Sequence, residues 1–236
     1  MTLTHIPLAD ITEVHLRRLI EGKAAEALSL EYKRETYGGN DQAKAEFLAD
    51  VSSFANARGG DLLIGIDAPK GVPKDLTPFQ HDADTERLRL EQMARSGLEP
   101  RISGLETRAV PITDGGVVLI VRVPRSYHGP HRVIFGGRNR FWSRSSAGKY
   151  EPNVDELRSV FAFSPELADR MRAFRFDRIS KIVSGDTPIS LVEGRSCLIV
   201  HIVSFSYFDL RPSLLLSEVI KSPLRFVSPA VTTGSD

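Results

Sequence analysis

Four residues in the first third of the chain are of the types that phosphate hydrolysis uses: Glu26, Glu31 and Lys33, followed later by Asp67. Carboxylates that converge hold a divalent cation through hard oxygen ligands, and a lysine beside them offers a counter-charge to a phosphate. The stretch from Glu26 to Lys33 alternates, with Leu28, Leu30 and Tyr32 on one side and Ser29, Glu31 and Lys33 on the other, as a half-buried strand does. Farther on, Phe54-Ala-Asn-Ala-Arg-Gly-Gly60 reads as a helix end with a glycine stop. Asp61 to Asp67 then reads as a second strand, with Leu62, Ile64 and Ile66 on one face. If the two strands are neighbours, Glu31, Lys33 and Asp67 meet at one rim and Glu26 leans in from upstream. That arrangement predicts a site for Mg²⁺ or Mn²⁺ ligated by Glu26, Glu31 and Asp67, with Lys33 on the phosphate.

The segment between the strands supports their pairing. Tyr37-Gly-Gly-Asn-Asp41 is a turn ending in a cap, and Phe47, Leu48, Val51, Phe54 and Ala55 fall on one helical stripe. Strand, helix and strand in this order predict a βαβ unit with parallel neighbouring strands.

Glu-x4-Glu-Tyr-Lys at 26–33, Phe-Ala-Asn-x-x-Gly-Gly at 54–60 and Ile-Gly-Ile-Asp at 64–67 together resemble the signature of the Schlafen AlbA-type domain, historically also labelled a divergent ATPase domain. The resemblance covers roughly residues 12 to 163. It implies an α+β fold: a mixed β-sheet with packed helices, a βαβ unit and a later hairpin. In nuclease members of that family, the two glutamates and the later aspartate form the acidic site of an endoribonuclease that cuts structured RNA such as tRNA. Those positions match Glu26, Glu31 and Asp67. Other members are labelled nucleic-acid binding, ATP binding or regulatory, so the alternative is a non-catalytic DNA- or RNA-binding regulator. The nuclease members enclose RNA between two lobes. This chain supplies one, so a homodimer is expected, with RNA favoured over DNA. No Gly-x4-Gly-Lys-Ser/Thr occurs in the chain, so ATP binding rests on the family label alone.

A second cluster is basic. Gly136-Gly-Arg138-Asn-Arg140-Phe-Trp142-Ser-Arg144-Ser-Ser-Ala-Gly-Lys149 reads as a hairpin on which Arg138, Arg140, Trp142 and Arg144 share a strand face. Arginines beside a tryptophan suit phosphates and a stacked base, so these four residues, with Lys33 and Lys149, are the expected nucleic-acid contacts. Arg144-Ser-Ser-Ala-Gly148 matches an Arg-x-Gly-Ser-Ser-like stretch of the family in part.

The remaining elements serve these two clusters. An opening helix with Ile11, Val14, Leu16, Leu19 and Ile20 inward is capped by Asp10 or Thr12, and a helix over 82–96 turns Leu88, Leu90, Met93 and Ala94 inward. Strands over 103–111 and 116–123 flank the Thr113-Asp-Gly-Gly turn. Asn153 caps a helix through Phe163, and Ser164-Pro165 starts another that carries Arg170, Arg172, Arg175, Arg178 and Lys181 as a solvated face. A strand follows over 197–205. Two domains are expected, 1–163 and a 164–236 extension with a disordered tail.

Composition adds exclusions. With 31 basic and 30 acidic residues the net charge is +1, so any nucleic-acid site must come from local clustering. The one cysteine, Cys197, lies in an apolar run as an inert buried thiol and excludes an intrachain disulfide or zinc ribbon. The histidines show no ligand spacing beyond His128-x-x-His131. No apolar run reaches the length of a membrane span and no leader pattern follows Met1, so a cytoplasmic protein is expected.

Overall fold

The computed structural model describes residues 3–80, 82–186 and 198–208. In order the elements are α1 (Glu13–Glu21), β1 (Leu30–Lys33), α2 (Asp41–Asn56), β2 (Gly60–Ile64), β3 (Ile66–Asp67), β4 (Asp75–Leu76), α3 (Ala83–Gly97) and β5 (Leu98–Glu99). They continue with β6 (Glu106–Pro111), β7 (Val117–Val123), β8 (Arg132–Val133), β9 (Arg140–Phe141), β10 (Ser143–Ser145), β11 (Gly148–Tyr150) and α4 (Val154–Val183). Cα packing divides the chain into Met1–Ser164 and Pro165–Asp236.

In the first unit the central sheet has the order β1-β2-β7-β6 and is mixed. β1 and β2 are parallel with Leu30 opposite Asp61 and Lys33 opposite Ile64, so β1-α2-β2 is the βαβ unit the sequence predicts. β7 then runs antiparallel to both β2 and β6, and β6–β7 is the hairpin around Thr113-Asp-Gly-Gly.

Each face of the sheet carries its own core. On one, Phe47, Leu48, Val51 and Phe54 of α2 and Leu90 and Ala94 of α3 pack on Leu62, Ile64, Leu119 and Val121. On the other, Leu3, Leu8 and Ile11 with Leu16 and Leu19 of α1 cover Leu30, Tyr32, Leu63, Val118 and Ile120. Val14 and Leu88 are 55% and 57% exposed rather than inward. Each sits two residues from a buried leucine, Leu16 and Leu90, and two residues on a helix turn the side chain by roughly 200°.

Two strand expectations are corrected. Residues 26–29 do not extend β1: Ala27 and Leu30 exchange backbone hydrogen bonds across a tight turn, and Leu28 is only half-buried. The run Leu62, Ile64, Ile66 does not share one face either. Gly65, at φ +104, bends the chain, so Ile64 joins the helix-covered core and Ile66 the opposite one.

α4 is one helix with Pro165 inside it, where the sequence predicts two. Proline there removes one backbone donor, and the Ser164 hydroxyl donates to the Tyr127 carbonyl (3.1 Å) instead of capping a new start. At its other end Asn153 accepts from the Asp155 and Glu156 amides, while Glu156 accepts the Asn153 amide, a reciprocal cap.

In the second unit Phe174 packs edge-on against Tyr207 and Phe208, and Arg170 donates to the Phe208 carbonyl. Arg172 and Lys181 pair with Asp169 and Asp177. Residues 198–204 form no strand, and Leu198 and Ile202 are 88% and 95% exposed. His81, Cys197 and the segment from Ser213 onward lie outside the described residues.

Candidate functional site

α2 and the β10–β11 hairpin enclose a network of alternating charges, set up by β1. Because Leu30 and Tyr32 face one core, Glu31 and Lys33 face the other, toward α2. There Lys33 Nζ lies 3.1 Å from Glu31, 2.9 Å from Glu46 and 3.4 Å from the fully buried Asp50. Lys149 of β11 reaches the other Asp50 oxygen at 2.6 Å, and the Tyr37 hydroxyl donates to Asp50 at 2.7 Å. Arg144 of β10 ion-pairs with Glu31, and its guanidinium lies 4.1 Å from the Phe54 ring centroid.

Phe54 can support Arg144 because of the glycines that follow it. The Gly59 amide donates to the Phe54 carbonyl and closes α2, and Gly59 sits at φ +75. A Cβ on Gly60 would lie 2.5 Å from the Phe54 ring and 2.6 Å from the Ser29 carbonyl oxygen. Asn56 ties the rest together: its amide donates to the His131 and Trp142 carbonyls, and its oxygen accepts the His131 N–H. That anchor interrupts the hairpin at Trp142, between β9 and β10.

The interruption overturns the expectation of one basic face. Arg138, Arg140 and Trp142 line a cavity of about 470 Å³ with Ala45, Ala49 and Lys149. Arg144 turns inward, is 5% exposed, and lines a different cavity of about 290 Å³ with Glu26, Glu31, Lys70 and Lys149. Lys149 borders both. Arg138 donates to Gln42 at 3.1 Å, and Arg140 pairs with Glu151 at 2.6 Å in an exposed contact.

The acidic set divides likewise. Glu26 and Glu31 do line one cavity, and Glu26 Oε1 accepts the Tyr32 amide at 3.0 Å. Asp67 is not among its lining residues. The Gly65 bend places Asp67 in β3, opposite Asp75, where its partner is Arg34 at 3.7 Å. Among the described residues no group of three or more Asp, Glu, His or Cys side chains is gathered as metal ligands are.

Charge balance explains the ionisation of the network. Burial opposes charge on Glu31, but Arg144 and Lys33 more than offset it and hold the carboxyl below the usual range. Burial also opposes charge on Lys33, which Asp50, Glu31 and Glu46 outweigh, raising it. The hydrogen bond from Lys33 lowers Glu46. Glu26, with burial dominant, is raised. A divalent cation does not fit this arrangement: Arg144 and Lys33 already neutralise Glu31, and both would repel an incoming ion.

Glu46, Asp50 and Tyr37 were not among the sequence candidates. The signal was Asp50, the one charged residue in the stretch Phe47 to Ala55, which is buried throughout.

The family model described as Schlafen, AlbA_2 matches residues 26–153, more than half of the 236-residue chain, and the chain belongs to that family. No curated protein matches. A crystal structure of the DIP2311 protein from Corynebacterium diphtheriae is similar with TM-score 0.42 and 16% identity over 63% of this chain. The match spans only 31% of that protein. A solution structure of the N-terminal domain of a RecG-related protein, from Nitrosomonas europaea, has TM-score 0.40 and 23% identity, covering 58% of this chain and 86% of that one. Among the described residues no helix is long and apolar enough to cross a membrane.

Proposed function

We propose that the chain is a nucleic-acid-binding module that holds a sugar-phosphate backbone on Arg138, Arg140 and Lys149. The cavity these residues line with Trp142 carries the reading, since cations beside an aromatic ring match phosphate and base together. The exposed Arg140–Glu151 pair is held weakly enough to be exchanged for a phosphate. Replacing Arg138 and Arg140 by Ala should weaken binding to all sequences alike and flatten the salt dependence by roughly one unit for each phosphate that is no longer neutralised. Fluorescence anisotropy across a salt series measures this, and an unchanged slope removes these arginines from the footprint.

Metal-dependent cleavage of structured RNA is the second reading, and it needs an arrangement other than the one described, in which Glu26 and Glu31 line one cavity but Arg144 and Lys33 neutralise Glu31. It requires Glu31 to release Arg144, and Asp67 to leave Arg34. Incubating structured tRNA and duplex DNA with the protein in Mn²⁺ and in EDTA separates the two: cleavage that EDTA abolishes establishes the enzyme, and binding without cleavage leaves the module. Sedimentation with and without RNA tests whether two chains close on one strand.

A further inference from the structure

The larger cavity has a floor unlike its walls. Ala45 and Ala49 lie one turn apart on α2, so their small side chains stack on the same face and leave a recess above them. Val133 of β8 and Trp142 complete the apolar part of the lining, and Gln42, Glu46, Arg138, Arg140 and Lys149 supply its polar part. The volume of about 470 Å³ suits a small organic group, not a protein side or a helix. Resting on the binding reading above, we infer that this recess takes one unstacked nucleobase against Trp142 while its phosphate lies on Arg138 and Lys149.

A duplex cannot supply that ligand, because its bases are stacked and paired and present only their edges. A single strand or a free nucleotide can, since either offers a base face with an adjoining phosphate. Arg138 occupies the Gln42 side-chain oxygen and Lys33 one Glu46 oxygen, which withdraws two acceptors from a base edge. Stacking on Trp142 is therefore the contact that the test reads.

Trp142 is the only tryptophan of the chain, so its emission reports the recess directly. The full chain is titrated at low salt with a short single strand, the same strand annealed to its complement, an abasic strand of equal length, and ATP. Anisotropy of labelled strands is recorded in parallel. The expected result is quenching by the single strand and little by the duplex or abasic strand, although both bind. Quenching by ATP at comparable concentration identifies a free nucleotide as a source of the base, and its absence identifies the strand. Equal quenching by abasic and base-bearing strands overturns the inference, as does strand binding with unchanged emission; both leave the phosphate-binding reading intact. Absence of any strand binding by anisotropy together with unchanged emission in ATP ends both.

Ala45→Leu provides an independent check, with its fold verified by thermal melting. By filling the recess it should weaken the base-bearing strand about tenfold, to the level of the abasic one. An undiminished preference for the base-bearing strand in a folded Ala45→Leu protein also overturns the inference.

Discussion

Two arginine–carboxylate pairs lie on opposite faces of the same sheet, and they are built differently. On the face covered by α1, Arg122 of β7 grips the fully buried Asp61 through two bonds of 2.7 and 2.9 Å. Its other donors go to the Leu3 and Ile6 carbonyls, which fastens the N-terminal segment over the sheet. On the α2 face, Arg144 holds Glu31 through one terminal nitrogen, reaches Ser53 only at 3.4 Å, and leaves Nε buried without a hydrogen-bond partner among the described residues. The first pair is held from both sides, by the carboxylate and by two backbone carbonyls. The second is under-satisfied, borders a cavity and shares its acid with Lys33. A buried donor without a partner costs free energy, and Arg144 Nε carries that cost at the edge of a cavity.

That contrast can be broken experimentally, beginning with the largest effect. Asp61→Asn strands the Arg122 charge and loosens Leu3 and Ile6, so chemical denaturation should show a loss of about 3–5 kcal/mol. Nucleic-acid affinity of the folded fraction should not change. If Asp61→Asn costs less than the corresponding change at Glu31, the two pairs have been ranked in the wrong order.

Glu31→Gln should cost about 1.5–3 kcal/mol, because Arg144 keeps its place over Phe54 and the cavity admits water to the freed guanidinium. Unlike the Asp61 variant, it should also tighten nucleic-acid binding measured in EDTA, since negative charge beside Lys149 and Arg144 has gone. A destabilised protein with unaltered affinity would place Glu31 with Asp61 as purely structural.

The acids of the α2 face should also separate by pH. Glu31 and Glu46 have lowered folded values, so their contribution is present above the ordinary carboxylate range and is lost as pH falls through those values. Glu26 has a raised value, so its sign is reversed: its contribution is present below the ordinary range and lost as pH rises through the raised value. Glu26→Gln removes that buried charge and still accepts the Tyr32 amide. Its melting temperature at pH 7 should equal or exceed wild type, and the difference should shrink by pH 4. A difference that widens on acidification contradicts the assignment.

The smallest effect belongs to the exposed pair. Glu151→Ala should change stability by no more than about 1 kcal/mol, as solvent-exposed ion pairs do, while freeing Arg140 for phosphate and raising affinity at low salt. A larger destabilisation would show that Arg140 is held as firmly as Arg144.

Much of this was legible in the chain itself. Alternation through Leu30, Glu31, Tyr32 and Lys33, the α2 stripe and the Gly59-Gly60 stop determined the βαβ unit and the facing of Glu31 and Lys33, because side-chain direction in regular elements follows period alone. Thr113-Asp-Gly-Gly likewise determined the β6–β7 hairpin, and the three family motifs the family. Only the tertiary structure decided what each charge meets. One glycine bend at Gly65 carried Asp67 away from Glu26 and Glu31, and one side-chain anchor, Asn56 on the Trp142 carbonyl, split Arg144 from Arg138 and Arg140. Both are local breaks in regular geometry, and a period read along the sequence carries no signal for them. The partners of Lys33 and Lys149 come from Glu46 and Asp50 of α2, and pairing across packed elements depends on their distance and burial in space, which spacing along the chain does not encode.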